Sequence, residues 1–154
     1  PISLDVIKAT NEFLRPTLIN AEKKNIEIYR DYDESSEQII LADKNMLSRI
    51  VYNLVINAIK FTPRNGRITI GLTAENDNIK FSIKDTGIGM SPDQVAKIFE
   101  DSTDVNKEGT EGEKGTGLGL SICMEFVKKH SGKIWVESIQ GKGSQFYFTF
   151  PIKS

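Results

Sequence analysis

The sequence predicts an α+β fold: a two-layer sandwich whose mixed, mostly antiparallel sheet carries its helices on one face. Three observations predict it. Segments of helical and of alternating periodicity run in the order α, ββ, α, ββ, α, α, ββ, without a regular βαβ repeat. Stretches 67–74, 79–84, 133–138 and 144–150 alternate apolar with polar residues, the pattern of a sheet covered on one side only. At 154 residues, 38% of them hydrophobic, the chain is long enough for one core, so residues 1–154 read as a single domain.

Each element has its own justification. Residues 1–24 read as a helix capped by Ser3, with Leu4, Ile7, Leu14, Leu18 and Ala21 at helical spacing. Pro16 lies inside it and is expected to kink or divide it. Strands follow at 26–32 and 38–42, on either side of the polar Asp33-Glu34-Ser35-Ser36 turn. A second helix runs from its N-cap Asp43 through Lys60, burying Met46, Leu47, Ile50, Val51, Leu54, Val55, Ala58 and Ile59. Pro63-Arg64-Asn65-Gly66 then turns the chain.

The pair 67–74 and 79–84 reads as a hairpin around Asn76-Asp77-Asn78. Ser91-Pro92-Asp93 opens a short helix reaching Phe99. Residues 100–114 are polar and aperiodic, 118–130 are helical again, and a last strand pair flanks Gln140-Gly141-Lys142-Gly143.

Composition excludes several classes. Lys plus Arg is 20 against 21 acids, so the basic excess that nonspecific nucleic-acid binding requires is missing. No apolar run approaches the roughly 20 residues of a membrane span. Cys123, the sole cysteine, allows no internal disulfide, favours a reducing compartment, and reads as a buried thiol packing as a small hydrophobe. His130 is the sole histidine, so a His-rich metal site is excluded. It reads as a cation at a helix C-terminus, where the dipole favours one. A Cys123–His130 pair would share a helical face, but nothing in the sequence activates the thiol.

Three segments concentrate groups that a packed core does not need. On the second helix Asn53 and Asn57 stand i, i+4, and Lys60 follows at i+3 from Asn57, so all three project from one side. An amide oxygen suits Mg²⁺ and an ammonium suits phosphate, although the same stripe is equally an ordinary solvated face. Asp85-Thr86-Gly87-Ile88-Gly89-Met90 follows a strand. Its glycines allow a close backbone approach, and its carboxylate can accept a hydrogen bond from an exocyclic amine; a plain strand-to-helix turn has the same residues. Lys114-Gly115-Thr116-Gly117-Leu118-Gly119 runs into a helix whose N-terminal amides form an anion site. It is neither a dinucleotide fingerprint, since Leu120 stands where glycine is required, nor a Walker A loop.

Taken together, these segments resemble the catalytic domain of sensor histidine kinases, within the larger group that includes gyrase, the Hsp90 chaperones and MutL. Residues 53–61 resemble the family's N box, 85–89 its first glycine box, Ile98-Phe99-Glu100 the start of its F box, and 115–119 its second glycine box. The tail from Gly132 to Pro151 resembles its closing strands, so the likeness covers nearly the whole chain from Leu4. The resemblance implies a Bergerat-type sandwich that binds ATP with Mg²⁺. It places Asp85 on the adenine amino group, with Gly87 and Gly89 shaping that pocket. Asn57 holds the metal, Asn53 stands beside the phosphates, Lys60 contacts phosphate, and Phe61 packs near the nucleoside. Gly115, Gly117 and Gly119 hinge a lid over the site, flanked by Leu118, with Lys114 and Thr116 near the phosphates.

The family's ATPases place a glutamate where this chain has Asn53. An amide is no general base, so the resemblance implies transfer of the γ-phosphoryl to a histidine rather than hydrolysis. The acceptor belongs to a dimerisation domain preceding the catalytic one, and His130, followed by Ser131 and not by an acid, does not match it. The implied partners are that domain and a response regulator receiver domain, with no nucleic acid. The expected fragment is monomeric and cytoplasmic, whether or not its parent is anchored in the inner membrane, and does not phosphorylate itself. Two departures stand out: Asp101-Ser102-Thr103-Asp104 replaces the aromatic and basic continuation of the F box, and the lid is acidic, with Glu100, Asp101, Asp104, Glu108, Glu111 and Glu113 against Lys107 and Lys114. Such a lid is expected to move freely without nucleotide, its acids turned to solvent. A regulatory module that binds nucleotide without transfer, and a freestanding ATPase or serine kinase, are the alternative readings.

Overall fold

The computed structural model describes residues 1–99 and 119–152. Its elements, in chain order, are β1 (Ile2–Asp5), α1 (Val6–Lys23), β2 (Glu27–Asp31), β3 (Ile39–Ala42), α2 (Lys44–Lys60), β4 (Arg67–Glu75), β5 (Asn78–Asp85), α3 (Pro92–Lys97), α4 (Gly119–Lys129), β6 (Lys133–Ile139) and β7 (Gly143–Pro151). A five-stranded sheet has the order β2-β4-β5-β7-β6; only β2 and β4 run parallel. α1, α2 and α4 cover one face, as the alternation of the strands predicts.

That face is the core. Ile68, Ile70 and Leu72 of β4, Ile79, Phe81 and Ile83 of β5, and Phe146, Phe148 and Phe150 of β7 point into it. They meet Leu47, Ile50, Val51, Leu54, Val55 and Ala58 of α2. Phe81 stacks on Phe148 with centroids 4.3 Å apart, and Phe150 meets both rings edge-on. Side chains of this size, fully buried, each contribute about 1.5–3 kcal/mol relative to exposure. The opposite face carries the stacked Trp135–Tyr147 pair and the charged ends of Lys80 and Arg67.

Two sequence expectations are corrected, the start of the first helix and the effect of Pro16. Residues 2–5 form a strand, not a first helical turn, because Leu4 pairs with Ile40 and Val6 N–H reaches Gln38 O at 2.8 Å. Asp5 rather than Ser3 therefore caps α1, its carboxylate accepting from Ile7 N–H at 3.1 Å. The two strands expected on either side of the Asp33 turn go to different sheets: β3 joins β1 in a two-stranded ribbon, and β2 joins the large sheet. Lastly, Pro16 does not divide α1, which runs unbroken from Val6 to Lys23. Pro16 lies on the exposed side, as does Glu12, whose carbonyl its missing N–H leaves without a helical partner.

The capping chemistry otherwise follows the sequence. Asp43 accepts from Met46 N–H at 3.1 Å and starts α2. Ser91 and Gln94 form a reciprocal capping box at α3, which ends at Lys97 rather than Phe99. Among the described residues no helix is long and apolar enough to cross a membrane.

Candidate functional site

The first glycine segment leaves the C-terminal end of β5 and is clamped against the β6–β7 hairpin. Asp85, only 5% exposed, ends β5 on the core-facing register. Its Oδ1 accepts Gly87 N–H at 2.8 Å and Ser144 N–H at 3.1 Å. Among the described residues no hydrogen bond falls on its other oxygen. Burial raises the Asp85 carboxyl above the usual carboxylate range, and the two N–H bonds act against that shift. The loop continues through Ile88 N–H to Phe61 O at 3.1 Å, Gly141 N–H to Ile88 O at 2.7 Å, and Met90 N–H to Ser138 Oγ at 2.8 Å.

Both sequence-marked glycines are required by this path. At Gly87 a Cβ would lie 2.3 Å from Phe61 O, so only glycine lets the loop pass that close to the end of α2. Gly89 has φ +68° and runs against Ile139 O, 2.1 Å from where its Cβ would stand.

α2 supplies the second set. Its core flank is buried while Asn53 and Asn57 are half-buried, on the side the i, i+4 spacing predicts. Lys60 is 9% exposed and its ammonium lies 4.8 Å from the Phe61 ring centroid. The helix end is secured from outside: buried Lys24 donates to Ile59 O at 2.9 Å and Lys60 O at 3.3 Å, and Thr62 Oγ1 donates to Ala58 O at 2.6 Å. The ion and hydroxyl thus satisfy carbonyls that a helix terminus leaves unbonded. The Phe61 carbonyl, accepting from Ile88, joins this helix end to the Asp85 loop.

α4 packs on α2 from the other side. Cys123 is fully buried, its thiol 3.9 Å from Ile50 O and close to the Asn53 side chain. Burial pushes the thiol up to about 12, against which the Asn53 side chain and the Arg49 charge act weakly, so it is an inert packing group, as expected. His130 corrects the sequence reading of a helix-end cation. Its Nε2 accepts Asp43 N–H at 3.0 Å, its Nδ1 lies 2.8 Å from Phe126 O, and the ring stacks on Phe150 at 4.6 Å. An accepting Nε2 and a donating Nδ1 define a neutral ring.

Of the sequence-marked residues, Gly87 and the loop that begins at Asp85 meet Phe61 at the end of α2, and Lys60 lies beside Phe61. Asn57 and Asn53 lie one and two turns further back along the helix. Gly119 opens α4. Lys114, Gly115, Thr116, Gly117 and Leu118, the F-box continuation and the acidic lid lie outside the described residues. Sequence reasoning missed Lys24, Ser138 and Ser144. The two serines carried a signal: each is a hydroxyl at the inward register of a strand whose other inward residues are apolar, Ile134 and Val136 in β6, Phe146, Phe148 and Phe150 in β7.

Residues 42–154 match the family model described as histidine kinase-, DNA gyrase B-, and HSP90-like ATPase. The chain belongs to this family. Within it, the histidine kinases are its neighbours. It is 33% identical over 153 residues to the adaptive-response sensory kinase SasA of Gloeothece citriformis, covering 99% of this chain and 36% of that protein. The chain thus spans about a third of the length of such curated relatives. Among solved structures, the nucleotide-free catalytic domain of histidine kinase ThkA superposes with a TM-score of 0.81 at 28% identity, over 99% of this chain and 97% of that one. Full-length ShkA in complex with AMPPNP matches at 0.80 and 30% identity, over 99% and 31% of the two chains. ThkA in complex with the response regulator TrrA matches at 0.80 and 25%, over 98% and 41%. The five-stranded mixed sheet with its single helical layer is the Bergerat sandwich of histidine kinase catalytic domains. The domain is accordingly of the kinase catalytic ATPase type.

Proposed function

We propose that this domain binds Mg²⁺-ATP and presents the γ-phosphoryl for transfer to a histidine on a separate dimerisation domain, from which it passes to a response regulator. The observation that carries the reading is Asp85. A buried carboxylate, one oxygen held by two backbone amides and the other unoccupied by them, suits an exocyclic amine such as adenine's. Guanine would bring a carbonyl to the same place, acceptor against acceptor.

Asn53, Asn57 and Lys60 extend the site from Asp85 toward a triphosphate. An amide oxygen, neutral and hard, fits Mg²⁺, so Asn57 would hold the ion, which when bound supplies charge neutralisation on the phosphate oxygens. The Lys60 ammonium adds positive charge on that side, and Phe61 offers a face for the nucleoside. Asn53 cannot take a proton from water, which supports transfer over hydrolysis. Lys114, Gly115, Thr116, Gly117, Leu118 and Gly119 complete the proposal as the lid and its phosphate contacts. The domain works in the cytoplasm, as one unit over residues 1–154, and does not label itself.

Titration calorimetry with ATP and GTP in the presence of Mg²⁺ tests the binding step; equal affinities would overturn the adenine assignment. Supplying a dimerisation domain and a response regulator in trans tests transfer. ATP binding with no phosphate reaching either partner would favour a regulatory nucleotide module instead.

A further inference from the structure

Ser138, on the inward register of β6, lies outside the set of residues that face the proposed nucleotide, yet its hydroxyl touches both segments that define the Asp85 corner. Its Oγ accepts Met90 N–H at 2.8 Å, pinning the far end of the 85–90 loop. The same Oγ lies 3.1 Å from Gly143 O and 2.7 Å from Ser144 Oγ. A serine has one hydroxyl proton, so it serves one of these acceptors at a time, while its lone pairs receive Met90 and the Ser144 hydroxyl.

The contact with Gly143 O carries the argument. Gly143 O and Ser144 N belong to one peptide group, and a trans peptide is a rigid plane whose C=O and N–H point in opposite directions. Ser138 holds the carbonyl end of that plane, and the amide end donates to Asp85 Oδ1 at 3.1 Å. Gly143, at φ +123°, begins β7 opposite Ile139, and the Ser138 hydroxyl adds a side-chain hold on its carbonyl to that strand pairing. We infer that Ser138 is a positioning residue for base selection: by fixing the 143–144 peptide and the Met90 amide together, it sets the direction in which the Asp85 carboxylate meets an exocyclic amine. This rests on the adenine reading above and deepens it.

The test compares ATP with purine riboside triphosphate, which keeps every phosphate and ring nitrogen but lacks the 6-amino group. Binding of both is measured by calorimetry, with thermal unfolding as the control for folding. Thr and Val have the same shape and differ by the hydroxyl alone, so Ser138→Thr and Ser138→Val isolate the hydrogen bonds. Losing one or two neutral bonds corresponds to about a 3–10-fold weakening, expected for ATP with Ser138→Val and not for the purine analogue. Ser138→Thr is expected to keep the wild-type preference. If the Val variant does not fold, Ser138→Ala is read in the same way.

Loss of both ligands' affinity in equal measure would reduce Ser138 to a structural residue and overturn the proposal. An unchanged preference in the Val variant would overturn it too. Asp85→Asn separates the two levels. If it leaves ATP affinity intact, the adenine reading fails and this inference with it. If it removes the preference while Ser138→Val retains it, only the role of Ser138 fails.

Discussion

His130 Nε2 accepts the backbone N–H of Asp43 at 3.0 Å, tying the end of α4 to the residue that caps α2. With Nδ1 on Phe126 O and the ring stacked against Phe150, both ring nitrogens and one face of the imidazole are engaged. His130→Ala should therefore destabilise the fold by about 2–4 kcal/mol, from two lost hydrogen bonds and a lost aromatic contact, read from thermal or denaturant unfolding. The same occupancy predicts that incubation with γ-labelled ATP leaves no acid-labile phosphate on His130; label there would contradict the neutral, engaged ring.

Asp85→Asn should separate stability from binding. An asparagine oxygen can accept the Gly87 and Ser144 amides as the carboxylate does, and no charge is buried. The unfolding midpoint is expected to hold or rise. ATP affinity is expected to fall at least about tenfold, because the amide can present a donor to the adenine amine. A midpoint several degrees lower would show that the carboxylate stabilises the empty fold.

The pH dependence has opposite signs for folding and for binding. Burial raises the Asp85 pKa above the ordinary 3.8, so the protonated form is the one the fold prefers. Its contribution to stability is full at low pH and is lost as pH rises through the raised pKa. Binding an amine needs the ionised form, so the preference for ATP over purine riboside triphosphate should decline as pH falls, beginning above the range of an exposed aspartate. A preference constant down to that ordinary range would refute the assignment.

Gly89→Ala tests the loop path. The residue sits at φ +68°, and its added methyl would meet Ile139 O at 2.1 Å. Left-handed strain alone is worth about 1–2 kcal/mol, and displacing the 139–141 turn adds to it. A drop of more than about 2 kcal/mol in unfolding free energy, with weakened ATP binding, is the expected result.

Legibility in the sequence followed locality. α2 was readable from Asp43 to Lys60 because its cap and apolar stripe are properties of the segment itself. The β4–β5 and β6–β7 pairs were readable because their partners are adjacent in the chain. β1 was not: four residues before a strong helix look like its first turn, and what makes them a strand is β3, whose partner positions include Ile40 opposite Leu4. The site divides in the same way. Asp85, Gly87 and Gly89 announce themselves as a strand-end motif. Ser144 reaches Asp85 across 59 residues, and Lys24 reaches Ile59 across 35, distances over which no periodicity carries a signal. A lysine after a helix reads as solvent-facing; Lys24 is buried because two helix-end carbonyls need its charge.

Lys24 also has a mechanical meaning. Its ammonium grips Ile59 and Lys60, its own carbonyl receives Asn65 N–H at 3.0 Å, and neighbouring Lys23 O receives Arg64 Nη1 at 2.9 Å. The exits of α1 and α2 and the 61–66 turn are thereby riveted into one stiff corner, with Phe61 O joining it to Ile88. A displacement of α1 is thereby linked, bond by bond, to the exit of α2 and through Phe61 O to the loop that begins at Asp85.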